Sequence, residues 1–370
     1  MKSFDVAIIG AGIIGISCAR RLAEEGFKVV LIEKHFAGSG TTSAGMGHLV
    51  VMDDSPAQLA LTKYSLELWK EVSKILPANC EFENCGTIWI AADDDEFALA
   101  TRKAQLFCEI GLTTELLDEK ALYDAEPNLR RGLAGGLWVS GDCVVYQPAV
   151  ISSFLEALKG LPAKLIEHTQ VTKIERESVF LANGEIISAG IIVNACGYAA
   201  TDLMPALPIT KKMGNLAITE RGKSVVSHQL VELGYLKSAH ENSRTSVAFN
   251  VQPRNNGQIL IGSSRQTEFS KEAIDLALVQ KMISHAAEFL PVIRNLKLLR
   301  FWSGFRPATP DNLPYIGKYP QMPNWFVAAG HEGLGITASF ATAELLTDAL
   351  TDKNSQIDRT PFNVERAFSQ

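Results

Sequence analysis

Cysteine and histidine are scarce in this 370-residue sequence, and no histidine cluster accompanies the cysteines. The six cysteines are scattered, and the close pair Cys80 and Cys85 has no further cysteine nearby that would complete an iron–sulfur or zinc spacing. These absences exclude a disulfide framework, and we expect no metal site. We expect reduced thiols and a cytoplasmic location.

The sequence also lacks an excess of positive charge and a long apolar run. Lysine and arginine number 35 against 41 acidic residues, a formal net charge of −6, so nucleic acid is not an expected partner. The apolar stretch from Val6 to Ala19 is interrupted by glycines and follows Asp5, which does not fit a signal peptide. No other window reaches the roughly 18 apolar residues of a membrane span. We therefore expect no transmembrane segment, and any contact with the inner membrane would be peripheral.

The chain length predicts about two domains at roughly 150 residues each. The first block reads as strand, tight turn, helix and strand. Residues 4–9 are β-rich, Ile14, Cys18 and Leu22 share one helical face, and residues 27–32 form the apolar run of a buried parallel strand. This pattern predicts a βαβ unit.

The turn of this unit carries a Gly-x-Gly-x-x-Gly pattern at residues 10–15. Backbone N–H groups at such a helix start hold a pyrophosphate, because the glycines let it approach. Glu33 ends the next strand, where a carboxylate binds ribose hydroxyls. The pattern predicts a dinucleotide site and serves NAD and FAD equally. The residues assigned to it are Gly10, Ala11, Gly12, Ile13, Ile14, Gly15, Glu33 and Lys34.

Periodicity and turn signals predict the remaining elements. We expect a glycine-rich loop over residues 38–47 and a turn over residues 306–312. Helices are expected from Asp54-Ser55-Pro56 through Leu76, over residues 97–107, from Gln147-Pro148 through Leu158, over residues 274–289, and through Leu346. Strands are expected around hairpin turns at 182–185 and 254–257, across 225–264, and at 325–328.

Three later loops bear on the choice of dinucleotide. They are residues 40–47 (Gly-Thr-Thr-Ser-Ala-Gly-Met-Gly), residues 193–197 (Val-Asn-Ala-Cys-Gly) and residues 330–337 (Gly-His-Glu-Gly-Leu-Gly-Ile-Thr). With the first motif, they resemble the D-amino-acid oxidase and glycine oxidase superfamily of FAD-dependent oxidoreductases along the whole chain. Within that superfamily, residues 252–254 and 262–265 look most like those of bacterial D-hydroxyproline and related amine dehydrogenases.

The resemblance implies an α/β fold with two interleaved domains. One is a Rossmann-type FAD-binding domain of the glutathione-reductase kind, expected over residues 1–48, 145–215 and 300–370. The other is an α+β substrate-binding domain built on an antiparallel sheet, expected over residues 49–144 and 216–299.

The resemblance also implies further contacts to FAD. The loop at residues 330–335 would aim its backbone N–H groups at the flavin N1–C2=O edge, where negative charge grows on reduction. Thr42 and Gly304 stand where related families attach the flavin through histidine or cysteine, so we expect non-covalent FAD. The further cofactor-binding residues expected are Thr41, Thr42, Ser43, Ala44, Gly45, Met46, Val171, Ala195, Gly197, Gly304, Gly330, His331, Gly333, Leu334, Gly335, Ile336 and Thr337.

Three residues are expected to act on the substrate. Residues 304–307 are similar to the glycine oxidase segment that carries the substrate-carboxylate arginine, here Arg306, and a guanidinium binds a carboxylate bidentately. His48 lines the pocket or accepts a proton, or is a structural histidine. Glu332 binds the substrate amine or a ring substituent, or only the backbone. Glycine oxidases often have an arginine in the 330–335 loop, and its absence here argues against strict glycine specificity.

The resemblance implies an FAD-dependent dehydrogenase for a small D-amino or cyclic imino acid of the D-hydroxyproline or D-proline type. The substrate would become an imine by hydride transfer to flavin N5, and the electrons would pass to a partner subunit or a quinone. The alternatives are a peroxide-forming glycine or sarcosine oxidase, a 2-hydroxy-acid dehydrogenase with His48 as base, a non-catalytic flavoprotein subunit, and an NAD-only dehydrogenase.

Overall fold

The computed structural model describes residues 2–52, 55–234, 245–269 and 273–368, and the chain divides into two compact units. Unit 1 comprises Met1–Cys80, Tyr146–Lys211 and Phe305–Gln370. Unit 2 comprises Glu81–Val145 and Lys212–Gly304. The chain thus leaves unit 1 and returns to it twice. Residues 49–80 belong to unit 1 but were expected in the substrate-binding domain, and residues 212–215 and 300–304 belong to unit 2 but were expected in the FAD-binding domain.

The elements of the described residues are numbered along the chain. The strands are β1 (Lys2–Ile9), β2 (Val29–Ile32), β3 (His48–Leu49), β4 (Thr87–Ala91), β5 (Thr114–Asp118), β6 (Gly135–Val139), β7 (Cys143–Val144), β8 (Ala163–Ile166), β9 (Val171–Glu175), β10 (Ser178–Leu181), β11 (Ile186–Asn194), β12 (Thr210–Thr219), β13 (Gln229–Glu232), β14 (Thr245–Pro253), β15 (Ile259–Gln266), β16 (Leu298–Ala308), β17 (Tyr315–Lys318) and β18 (Trp325–Ala329). The α-helices are α1 (Ile13–Glu24), α2 (Thr41–Ala44), α3 (Pro56–Ser73), α4 (Asp94–Glu109), α5 (Glu119–Ala125), α6 (Gln147–Leu158), α7 (Ala200–Leu203), α8 (Leu276–Phe289) and α9 (Ser339–Thr351).

Unit 1 is organised around a largely parallel sheet with the strand order β17-β18-β11-β1-β2-β8. Strand β1 runs parallel to β2 and to β11, and all four residues of β2 are buried, so the predicted βαβ unit is confirmed. Helix α1 packs against α9, and Arg21 of α1 pairs with Glu344 of α9 at 2.8 Å. The predicted hairpin with its turn at residues 182–185 is formed by β10 and β11.

The turn between β1 and α1 is too crowded for side chains. Gly10 has φ = +100°, a conformation that favours glycine, and a Cβ there would lie 2.6 Å from the Ala195 carbonyl oxygen. A Cβ at Gly15 would lie 1.9 Å from the Gly10 carbonyl oxygen. The glycines therefore let α1 begin directly at the carboxyl end of β1.

Unit 2 is built on a second sheet with the order β16-β12-β15-β14-β13-β4-β6-β5. The pairs β12–β15, β14–β15, β13–β14, β4–β6 and β5–β6 are antiparallel, whereas β13 and β4 run parallel. Helix α8 covers β14 and β15, and Phe289 stacks on Phe249 with ring centroids 4.8 Å apart. The hairpin predicted around residues 254–257 is confirmed, while residues 235–244 of the predicted β-rich segment lie outside the described residues.

Two predictions about loops were wrong. Residues 38–47 are not loop throughout, because Thr41–Ala44 form the helical turn α2, where the Ser43 hydroxyl donates to the carbonyls of Ser39 and Gly40. Residues 306–308 continue strand β16 instead of starting a turn. Pro307 is tolerated there because β16 is the edge strand of its sheet, and its carbonyl accepts the Glu332 N–H at 2.8 Å.

The start of α3 agrees with the sequence, but its end does not. Ser55 caps the helix by accepting the Gln58 N–H at 3.1 Å, and Pro56 is the first helical residue, whereas Asp54 lies outside the described residues. The helix ends at Ser73, so the predicted extension through Leu76 was wrong.

The six cysteines form no disulfide, and burial raises the pKa of the Cys18 and Cys196 thiols to about 12. Within the described ranges, no group of three His, Cys, Asp or Glu side chains is arranged to hold a metal ion. None of the described helices is both long and apolar enough to cross a membrane.

Replacing Gly15 with alanine is expected to destabilise the protein by about 3 kcal/mol, since the new Cβ would meet a backbone oxygen that cannot move away without disrupting the β1–α1 turn. The thermal unfolding midpoint measures this. Gly160→Ala is the control, because its Cβ would meet its nearest atom, the Ala157 carbonyl oxygen, at 3.8 Å. Equal midpoints for the two variants would contradict the packing argument.

Candidate functional site

The N-terminus of α1 can receive an anionic group. Gly12 is the N-cap and supplies no side-chain cap, and a Cβ there would lie 3.3 Å from Thr42 Oγ1. The Ile13 N–H donates to that same Thr42 oxygen at 3.0 Å. The Ile13 amide is thus used within the chain, whereas the positive end of the helix dipole and the next amides of the first turn remain for an anion.

The Glu33 carboxylate is fixed beside this turn. Its Oε2 accepts the Ala11 N–H at 2.9 Å, and its Oε1 accepts the His35 N–H at 3.0 Å. An ionised carboxylate has about four acceptor positions, so capacity remains for ribose hydroxyls. The neighbouring Lys34 side chain is exposed.

The segment containing α2 is held by residues distant in sequence. The Thr41 hydroxyl donates to the Phe305 carbonyl at 2.7 Å, and the Gln147 Nε2 donates to the Gly45 carbonyl at 2.7 Å. Met46 is buried. Ser43 is exposed, and its hydroxyl serves its own helical turn. These contacts fix the loop between α2 and β3.

The residues after β11 contact the glycine turn from the other side. The Ala195 N–H donates to the Ile9 carbonyl at 2.8 Å, and the Asn194 side chain fixes the turn by donating to the Ala200 carbonyl at 2.9 Å. Gly197 has φ = +57°. Val171 lies in β9, where its side chain is part of the buried core of unit 1.

The loop at residues 330–337 is anchored at both ends. The buried His331 ring lies 2.8 Å (Nε2) from the Thr342 hydroxyl of α9. The Thr337 hydroxyl donates to the His48 carbonyl at 3.1 Å. The Trp69 indole N–H donates to the Ile336 carbonyl at 3.1 Å. The loop is thereby tied to α3, α9 and β3.

This loop leads into α9, and seven of its residues were expected to bind the cofactor. They are Gly330, His331, Gly333, Leu334, Gly335, Ile336 and Thr337. Within the loop, the Leu334 N–H donates to the His331 carbonyl at 3.0 Å.

Unit 1 brings the expected substrate residues together at this loop. The His48 ring lies close enough to Arg306 and to the Gly333 backbone for both to affect its pKa, and a Cβ at Gly333 would lie 3.8 Å from Arg306 Nε. Arg306 is half-buried at the end of β16. Glu332 has φ = +47°, and its N–H is held by the Pro307 carbonyl. A cation, a histidine and a carboxylate residue thus lie around one short loop.

Burial and the positive charge of Arg306 lower the pKa of His48 to about 4, although the Gly333 backbone opposes this shift. His48 is therefore neutral near pH 7. A proton accepted there would place a second positive charge near Arg306, so the ring is a weak general base.

The remaining expected residue, Gly304, is the last residue of unit 2, whereas the other residues named for the site belong to unit 1. Sequence reasoning missed Gln147, Asn194 and Trp69, whose side chains hold the loops. Gln147 and its partner Gly45 are 102 residues apart in the sequence, so no local sequence pattern could predict their hydrogen bond.

Three features fit a bound dinucleotide: glycines at positions with no room for side chains, a helix whose N-cap residue has no side chain, and an adjacent carboxylate. Residues 5–349 match the family model described as FAD dependent oxidoreductase. The chain belongs to this family. FAD is therefore its cofactor, and the predicted Rossmann-type FAD-binding fold is confirmed.

Individual relatives of this flavoprotein cover nearly its whole length. It is 27% identical over 374 residues to a glycine oxidase of Geobacillus kaustophilus strain HTA426, covering 98% of this chain and 97% of that protein. A crystal structure of glycine oxidase from Geobacillus kaustophilus has a TM-score of 0.89 at 26% identity, covering 98% and 99% of the two chains. A crystal structure of L-proline dehydrogenase from P. horikoshii, at 23% identity, has a TM-score of 0.89 and covers 100% and 98%, and it shows the fold alone.

The flavoprotein is expected to lose stability as the pH falls from about 6.5 towards 3. Burial lowers the pKa of His331 to about 3, so below the ordinary value of 6.5 the unfolded chain binds a proton that the folded state refuses. The loss is on the order of 5 kcal/mol, complete only below about pH 3 and absent above about pH 7.

The unfolding midpoint of His331→Gln, measured against pH, should therefore fall less steeply than that of the wild type. His168→Asn removes an exposed histidine and is the control, expected to follow the wild-type slope. Identical slopes for wild type and His331→Gln would contradict the assignment.

Proposed function

We propose that this flavoprotein oxidises a small D-amino or cyclic imino acid, of the D-proline or D-hydroxyproline type, to the imine. Bound FAD supplies the hydride acceptor at N5. The observation that carries the proposal is the grouping of Arg306, His48 and Gly333 around one anchored loop.

Arg306 is the proposed anchor for the substrate carboxylate. Its planar guanidinium can bind both carboxylate oxygens, which sets the orientation as well as the affinity. Its half-buried position strengthens such a pair relative to one in water. In a protein with a net charge of −6, a local cation is also needed to attract an anionic substrate.

The neutral state of His48 supports amine rather than alcohol oxidation. A 2-hydroxy acid needs a base for its hydroxyl proton, and the low pKa of His48 makes it a weak one. An amine bound in its neutral form needs no such base. The positive charge of Arg306 favours that neutral form, because it disfavours a second cation nearby.

The presence of Glu332 in this loop favours a substrate larger than glycine. It stands in the loop where glycine oxidases often have an arginine, and its backbone is fixed by Pro307. We assign its carboxylate to the substrate nitrogen or a ring hydroxyl, both of which donate hydrogen bonds.

The cofactor would be held along the same unit. We assign the pyrophosphate to the amides after Gly12, the ribose to Glu33, and the pyrimidine edge of the flavin to residues 330–335. The resemblance to amine dehydrogenases supports a partner subunit or a quinone as electron acceptor. A quinone would require peripheral contact with the inner membrane.

A second candidate function is a glycine or sarcosine oxidase that forms peroxide. It is supported by the glycine oxidase of Geobacillus kaustophilus, at 27% identity over nearly the full chain. The missing loop arginine argues against it.

Acid precipitation of the yellow protein is expected to release intact FAD into the supernatant. Thr42 uses its hydroxyl oxygen to accept the Ile13 N–H, and Gly304 has no side chain, so neither position offers an attachment atom comparable to histidine or cysteine. The visible absorbance of pellet and supernatant measures this. Flavin that stays with the washed pellet would contradict non-covalent binding.

Replacing Arg306 with alanine is expected to lower kcat/KM by about 2–4 orders of magnitude, because the charge-assisted anchor and the orientation it gives are lost. Arg306→Lys should restore only part of the activity, since lysine lacks the planar pair of donors. Steady-state kinetics at equal FAD content measure the effect. The control is Arg300→Ala, an exposed residue on the same strand, and wild-type kinetics in Arg306→Ala would move the anchor elsewhere.

Anaerobic flavin bleaching is expected to be fastest with D-proline or hydroxylated D-proline, slower with glycine and sarcosine, and slowest with 2-hydroxy acids. With the best substrate, an artificial dye should be reduced faster than peroxide forms. The order follows from the anchor, the weak base and the loop without an arginine. Rapid stoichiometric peroxide with glycine as the best substrate would instead identify a glycine oxidase.

A further inference from the structure

The start of the edge strand β16 carries large apolar side chains that the fold leaves exposed. Leu298, Leu299 and Phe301 are 40%, 67% and 38% exposed. Alternation along the strand puts Leu299 and Phe301 on one face and Leu298 on the other. All four residues from 298 to 301 are exposed, so both faces of the strand are open at this end. The apolar side chains therefore project from both faces of the sheet edge.

Positive charge accompanies these apolar side chains. Arg294, Lys297 and Arg300 are exposed, and residues 291–301 contain no acidic residue. No ion pair between described residues uses any of these three cations. The described part of the chain therefore leaves their charge without a paired carboxylate.

A neighbouring loop adds a fourth cation. The Lys297 carbonyl accepts the Glu220 N–H at 2.8 Å, and the exposed Arg221 follows Glu220 directly. Glu220 contributes the single negative charge of this neighbourhood that these contacts identify. We call the combined surface the basic apolar edge, and all of its members belong to unit 2: Leu298, Leu299, Phe301, Arg221, Arg294, Lys297 and Arg300.

The chemistry of the basic apolar edge differs from that of the whole chain. The protein has a formal net charge of −6, whereas this surface is cationic and apolar at once. An anionic phospholipid bilayer is complementary on both counts, because its headgroups attract lysine and arginine and its acyl boundary accepts leucine and phenylalanine. Charge complementarity therefore identifies the kind of surface that covers this edge.

We propose that the basic apolar edge docks the flavoprotein on an anionic phospholipid membrane. The leucine and phenylalanine side chains enter the headgroup layer, and the cations around them bind lipid phosphates. The proposal names the surface for the membrane contact that a quinone acceptor would require, and to that extent it rests on the proposed function. Vesicle binding needs neither substrate nor acceptor, so the two proposals can fail separately.

A second copy of the chain is the less favoured occupant. Pairing of β16 with its copy would extend the sheet, as exposed edge strands can do. It would also place Lys297 and Arg300 of one copy near the same cations of the other, and like charges across a strand pair are destabilising. A bilayer of opposite charge has no such repulsion.

Sedimentation of the holoprotein with vesicles is the test. Vesicles of equal parts phosphatidylcholine and phosphatidylglycerol are compared with vesicles of phosphatidylcholine alone. We expect binding to the anionic vesicles to be at least about tenfold tighter, and to weaken as salt is added, because salt screens the attraction. No binding, or equal binding to both kinds of vesicle, would overturn the proposal.

Two substitutions separate charge from apolar contact. Lys297→Glu should weaken binding to anionic vesicles by about tenfold or more, because it replaces an attraction with a repulsion. Leu299→Ser should weaken it by about tenfold, because an inserted apolar side chain is lost. The matched controls are Lys318→Glu and Ile75→Ser, which change exposed residues of unit 1 and should bind like the wild type.

The fold and the flavin serve as internal checks on these variants. Lys297 and Leu299 are exposed, so the unfolding midpoint, the FAD content and the activity with a soluble dye should stay at wild-type values. Wild-type vesicle binding in both Lys297→Glu and Leu299→Ser would overturn the proposal. Dimers that form without lipid and are lost in the same two variants would also overturn it, in favour of a second copy.

Discussion

The close approach of three backbone segments at the start of α1 is the constraint on which the rest of unit 1 depends. Gly10, Gly15 and the Ala195 carbonyl meet with no room for a side chain. This contact sets the first turn of α1 at the carboxyl end of β1, beside β2 and β11. Glu33 directly follows β2 and Asn194 is the last residue of β11, so both lie at the same edge of the sheet.

A second set of contacts fixes the loop that carries the candidate site. In the loop before α9, the His331 ring contacts the Thr342 hydroxyl, and the Thr337 hydroxyl donates to the His48 carbonyl. These contacts hold His48 at a position where the charge of Arg306 lowers its pKa. Burial keeps both histidines neutral, so Arg306 supplies the positive charge of this group. The proposed reaction uses this arrangement: the protein would orient a substrate carboxylate, and the flavin would accept the hydride.

The sequence predicted what depends on local pattern and missed what depends on long-range contacts. Alternation, apolar runs and glycine spacing were enough for the β1–α1–β2 unit and both hairpins. These local patterns did not predict α2, because the sequence Thr41–Ala44 has a weak helix propensity. The segment is held instead by hydrogen bonds to the Phe305 carbonyl and to the Gln147 side chain. Pro307 signalled a turn, yet an edge strand accommodates it.

The central claim is that Arg306 holds a substrate carboxylate next to the flavin, and titration with a carboxylate that cannot be oxidised tests it most directly. Pyrrole-2-carboxylate, a planar relative of proline, should perturb the flavin absorption spectrum of the wild-type holoprotein in a saturable manner. The account predicts that Arg306→Ala, with the same FAD content, shows no saturable change in the same concentration range. An equal spectral change with equal affinity in that variant would contradict the account.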